Sequence, residues 1–117
     1  MLVEISEKDF TKKGNNFYIN KAEKTGGMLM VKAEWCSHCK RALPIMEDVS
    51  KTLGSAYKMF KLDADADPKM VDNLGVKGFP TILYINRDGM ITKKYEGERS
   101  PGEILSGICK ESLVCKR

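Results

Sequence analysis

Cys36 and Cys39 stand three apart where an apolar run gives way to a helical pattern, in Ala33-Glu34-Trp35-Cys36-Ser37-His38-Cys39-Lys40. Two thiols at that spacing on a helix start lie within disulfide reach of each other. The unsatisfied N–H groups and the positive dipole end of such a start favour a thiolate over a thiol. The chemistry expected is dithiol–disulfide exchange, with Cys36 as candidate nucleophile. The same spacing also supplies half of many zinc sites, which need two further ligands. His38, the sole histidine, is the one nearby candidate, and no metal or other cofactor is expected.

These thiols need a strand to deliver them and a helix to carry them. Met28 to Ala33 reads as a buried strand leading into the cysteines. From Ser37 to Leu53, Ala42, Met46, Val49 and Leu53 recur at three- and four-residue steps, an amphipathic helix ended by Gly54 and interrupted by Pro44, where a kink is expected. Tyr57 to Leu62 predicts a strand, Pro68 to Leu74 a short helix, and Thr81 to Asn86 and Met90 to Tyr95 a hairpin about Arg87 to Gly89. Ser100-Pro101 is an N-cap with proline in the first turn of a last helix. Nearer the N-terminus, Leu2 to Ile5 predicts a strand, Glu7 to Asn16 is ambiguous, and Phe17 to Lys24 suggests a short helix closed by Gly26-Gly27. Such an order gives an α/β sandwich about a mixed sheet.

About forty residues beyond the cysteines comes Val76-Lys77-Gly78-Phe79-Pro80-Thr81, running into Ile82-Leu83-Tyr84-Ile85. Together with Trp35-Cys36-Ser37-His38-Cys39-Lys40, this segment resembles the thioredoxin superfamily, which pairs a Trp-Cys-x-x-Cys-Lys motif with a Gly-x-Pro-Thr motif. Pro44, Lys61-Leu62 and the Asp88-Gly89 turn fall in the same register. The likeness covers roughly residues 28 to 113 and implies a thioredoxin fold, a mixed central β-sheet flanked by helices.

The resemblance also implies roles. Cys36, facing solvent, attacks, and Cys39, pointing inward, resolves the mixed disulfide. Pro80 is cis and lies against the cysteines. Trp35 on one side and Phe79, Pro80 and Thr81 on the other wall an extended substrate that pairs with the backbone there. His38, at a position where disulfide isomerases also carry histidine, would stabilise the Cys36 thiolate and make the disulfide more oxidising. Arg99, in Tyr95-Glu96-Gly97-Glu98-Arg99, matches an isomerase arginine that swings toward the resolving cysteine, and its other reading is an exposed loop residue. One departure stands out. Six residues before the first cysteine the family has a buried acid, whereas this chain has Met30, with Lys32 on the same strand face where the family more often has an aromatic. Lys32 and Lys40 join the candidate modulators.

The 117 residues fit one domain, 1–117, with a normal core, at 42% hydrophobic and 31% charged content. The net charge of +4 is spread over pairs such as Lys12-Lys13, Lys40-Arg41, Lys93-Lys94 and Lys116-Arg117. No basic block is interleaved with aromatics, so no nucleic-acid partner is expected. No apolar run is long enough to span a bilayer and the first twenty residues hold no export core, so a cytoplasmic monomer is expected. Without an export signal, Cys109 and Cys115 are read as unpaired. Six apart on a helix they would not share a face, leaving Cys109 as a small core residue and Cys115 as an inert end, whose other reading is a spare exposed thiol open to oxidation or dimer formation. Asp63-Ala64-Asp65-Ala66-Asp67 resembles a calcium loop, but Pro68 and Leu74 stand where glycine and glutamate are required, so it reads as helix capping and solubility.

The function expected is a thiol–disulfide oxidoreductase acting on protein disulfides or dithiols, with a reductase as possible electron donor. The alternative is a thioredoxin-like binding or scaffold module without turnover, for which Met30 speaks.

Overall fold

The computed structural model describes residues 1–115, so the basic ending Lys116-Arg117 lies outside the described residues. Seven strands and three α-helices follow in order: β1 (Val3–Ile5), β2 (Phe10–Lys13), β3 (Asn16–Ile19), β4 (Gly27–Lys32), α1 (Ser37–Leu53), β5 (Lys58–Asp63), α2 (Pro68–Asn73), β6 (Thr81–Ile85), β7 (Ile91–Lys94) and α3 (Pro101–Glu111). Five strands form one sheet in the order β1-β5-β4-β6-β7. β1 and β4 run parallel to β5, while β6 is antiparallel to both β4 and β7, so the sheet is mixed.

Strand alternation divides the core. Met28 and Met30 of β4 join Met46 and Val49 of α1 and Ile104 and Ile108 of α3 on one face. Leu29 and Val31 join Phe60, Leu62, Met70 and Val71 on the other. Every residue of β4 is buried, as a central strand covered on both faces requires. Gly54, at φ 61°, closes α1 by donating its N–H to the Ser50 carbonyl. The Ser100 side chain caps α3 by accepting from the Glu103 N–H, with Pro101 at the helix start. Both ends are where short-range chemistry predicts them.

Two expectations fail. The segment from Phe17 to Lys24 forms no α-helix: β3 and a 3-10 turn at Asn20–Ala22 occupy it, and β3 pairs with β2 in a two-stranded hairpin. Gly14 at φ 63° supplies the tight turn, and Phe17 and Ile19 point to one face by strand alternation. Lys12 lies over the Phe17 ring and Lys13 over that of Tyr18, at 5.7 and 4.9 Å from the centroids, contacts that only cross-strand pairing supplies.

The second correction concerns Cys109 and Cys115, which form a disulfide with Cα atoms 5.3 Å apart. The helix does not continue to Cys115. It ends at Glu111, Ser112 takes an extended conformation, and Leu113–Cys115 turns back as a 3-10 turn. The Ser112 hydroxyl oxygen accepts from the Val114 N–H and fixes that reversal. A projection around an unbroken helix therefore separates two residues that the chain brings together. Cys109 is half-buried and Cys115 exposed.

Among the described residues, no helix is long and apolar enough to cross a membrane.

Candidate active site

β4 ends at Lys32, and the Ala33 carbonyl accepts from the Cys36 N–H at 3.2 Å, turning the chain into α1. Cys36 is the N-cap of that helix, in extended conformation, and its Sγ accepts from the Cys39 N–H at 3.2 Å. A sulfur receiving a backbone N–H at a helix N-terminus sits where negative charge is favoured. Both cysteines are free thiols.

Burial differs from the sequence expectation at Cys36. It is only 5% exposed, against 1% for Cys39, so the candidate nucleophile does not stand out into solvent. Capping the helix turns its sulfur inward, against the cluster that holds Ala33, Cys39 and Ala42. The residue that projects is Trp35, 70% exposed, with its ring edge-on to Phe79 at 5.8 Å between centroids. Phe79 also packs against the cluster containing both cysteines. The Phe79–Pro80 peptide is cis, and the Thr81 hydroxyl donates to the Gly78 carbonyl at 2.7 Å, closing that turn. Trp35 and Phe79 thus meet beside the cysteine turn.

Burial pushes the Cys39 thiol up to about 11, and its hydrogen bond and charge interaction with Cys36 add to the rise. A backbone hydrogen bond from Ala33 and the positive charge of Lys32 act the other way. Met30, fully buried on the same face, offers no group that takes a proton.

Lys32 is 6% exposed and holds two carboxylates, Glu34 at 3.2 Å and Asp63 at 3.7 Å. Burial alone would lower its pKa, yet the Glu34 hydrogen bond and the fields of Asp63, Glu34 and Glu4 outweigh that and raise it. The ammonium keeps its charge beneath the cysteine turn. Glu34 and Asp63, the last residue of β5, are what secure it. Asp63 is the register partner of Lys32 across β4 and β5, and the Asp65 carboxylate accepts from the Glu34 N–H at 3.0 Å. Asp67, at the N-cap of α2, makes no side-chain cap bond. The capping expected of the acidic run from Asp63 to Asp67 is absent, and two of its acids brace the site instead. Sequence reading missed Asp63 and Asp65, though the parallel approach of two strands to one turn was a usable signal.

His38, Lys40 and Arg99 are all exposed. His38 Nδ1 lies 2.7 Å from the Arg41 guanidinium. A guanidinium only donates, so Nδ1 is the acceptor in this contact. Arg99 borders one groove with Pro80 and Thr81 and another with His38 and Arg41. No group of three or more metal-ligating side chains is placed to hold an ion among the described residues.

The thioredoxin family model matches residues 4–110. The chain belongs to the thioredoxin family. A thioredoxin of Listeria monocytogenes is 33% identical over 78 residues, covering 67% of this chain and 75% of that protein. The protein disulfide-isomerase of Ricinus communis is 35% identical over 80 residues, 67% of this chain and 16% of that protein. Protein disulfide isomerase-like 2-2 of Oryza sativa is 35% identical over 77 residues, 64% of this chain and 21% of that protein. The chain thus spans about a fifth or less of the length of these two isomerases. In fold it resembles the J-Trx1 fragment of ERdj5, with a TM-score of 0.77 at 16% identity, over 94% of this chain and 51% of that one. The thioredoxin fold, with its mixed sheet flanked by helices, is the one observed, and Cys36 and Cys39 occupy the family's paired-cysteine position.

Proposed function

We propose that the chain is a thiol–disulfide oxidoreductase acting on protein disulfides and dithiols. The observation that carries this reading is the Cys36 sulfur capping α1 on the N–H of a second, buried free thiol. In the reducing direction Cys36 gives up its proton and its thiolate attacks a substrate disulfide. A mixed disulfide forms, and the other substrate sulfur departs as a thiolate and takes up a proton. Cys39 then loses its proton and attacks Cys36 Sγ, releasing the second substrate sulfur. Two electrons pass to the substrate and Cys36–Cys39 is left as a disulfide. A dithiol donor, such as a partner reductase, returns them, and the oxidising direction is the same sequence reversed. The protein works as a monomer in this scheme.

Turnover of insulin disulfides with a dithiol reductant tests the proposal. Catalysed precipitation of the insulin B chain, lost in Cys36→Ser, is the expected result. Absence of turnover by a folded, reduced protein favours the second reading, a binding module without turnover. Met30, buried where the family has an acid, is the observation on which that reading stands.

A further inference from the structure

Beside the cysteine turn, α1 and the loop before α3 enclose a groove of about 580 Å³. Ala42 and Ile45 line it with apolar surface, His38 lies at its active-site end, and Arg41 and Arg99 both border it. Among the described residues neither guanidinium is within ion-pairing distance of a carboxylate. Glu98 also lines the groove without pairing to either. Two unpaired guanidiniums against one carboxylate leave an excess of positive charge around an apolar strip.

The groove is continuous in its residues with the substrate side of the site. Arg99 also borders the neighbouring groove of Pro80 and Thr81, so it stands between the Pro80 segment and Arg41. Arg41 is oriented by its bond to His38 Nδ1 and keeps further N–H groups for a second acceptor. Planar guanidiniums suit carboxylates, which they bind in paired hydrogen bonds. We infer that this groove receives the residues flanking the reacting cysteine of a protein substrate and selects an acidic side chain there, with Arg41 and Arg99 as its ligands. The inference rests on the oxidoreductase reading, whose site it extends. It gives Arg41 a binding role.

The test uses the reduced protein and three disulfide-bonded peptides, alike except for Glu, Gln or Lys beside one cysteine. The readout is the second-order rate of disulfide cleavage in rapid mixing, followed by Trp35 fluorescence. The Glu peptide should react about tenfold faster than the Lys peptide at low ionic strength, and the gap should narrow as salt is added. Arg41→Gln with Arg99→Gln should level the three rates near that of the Gln peptide, while Lys12→Gln with Lys13→Gln on the hairpin, which removes the same net charge, should leave the ranking intact. Equal rates for all three peptides with the original protein overturn the inference and leave the oxidoreductase reading standing. So does a ranking that the hairpin variant erases as fully, since net charge then explains it. Arginine dependence seen with glutathione disulfide but with no peptide also overturns it. Failure of every disulfide to react defeats the oxidoreductase reading itself.

Discussion

The backbone N–H of Cys39 donates to Cys36 Sγ at 3.2 Å, so a hydrogen bond links the two cysteines in the state where no covalent bond does. Serine is as good a helix cap as any residue, so Cys36→Ser should keep the fold and lose turnover. Cys36→Ala should lose turnover and also about 1 kcal/mol of stability with the cap. Denaturant titration of the two reduced variants separates the roles. Equal stability would mean that the sulfur does not cap the helix.

Cys39→Ser should attack but not resolve, leaving a long-lived mixed disulfide on Cys36 that mass spectrometry detects. Recovery of no adduct after exposure to oxidised substrate would show that the order of attack is wrong.

Burial raises the pKa of the Cys39 thiol, and that cause persists in the mixed disulfide, where Cys36 no longer carries charge, so resolution is the pH-sensitive step. Its rate should rise about tenfold per pH unit above neutrality, as the thiolate fraction grows. Met30→Glu should hasten resolution near pH 7 and lower stability by a few kcal/mol, the effect of burying an acid without a partner. Linkage runs the same way in the wild type. A thiol whose pKa is raised in the folded state from 9.0 keeps its proton while the unfolded chain sheds one. The reduced protein should therefore lose stability as pH climbs from about 9 to about 11. A resolving rate flat with pH would point to another proton acceptor.

Lys32→Met should strip the positive charge that holds the Cys39 pKa down and leave Asp63 half-buried without its cation. The expected results are a resolving profile displaced to higher pH and a stability loss of about 3 kcal/mol. Asp63→Asn should cost stability while leaving that profile nearer the original, because the ammonium and its Glu34 contact survive.

Replacing both Cys109 and Cys115 by serine should cost about 2 kcal/mol, the loop entropy of so short a closure, and leave turnover nearly unchanged. Chemical denaturation and the insulin assay read the two halves of that statement separately.

How much of this was written locally decides how much was legible. The cysteine spacing, the period of α1, Gly54 and the Ser100-Pro101 start all act over a few residues, and the chain displays them openly. The brace of Lys32 by Asp63 depends on β4 and β5 lying side by side in one register, which neither segment states alone. Cys109 and Cys115 were misread because one extended residue, Ser112, reverses a helix that the spacing assumed to continue. Burial of Cys36 likewise turns on one torsional choice, the sulfur folding under to cap its own helix. The β2–β3 hairpin fell in a polar stretch whose helical and extended patterns compete, and packing against the sheet settled it.

That hairpin bears on the borders of the sheet. An open sheet ends in strands with unspent hydrogen-bonding groups, to which another chain can add. Here one border strand, β1, is only three residues long, and the other, β7, carries exposed Lys93 and Lys94. Tyr18 of β3 bridges to Met90, just ahead of β7, laying the hairpin along the approach to that border. With both margins short, charged or covered, the sheet resists edge-to-edge growth into aggregates.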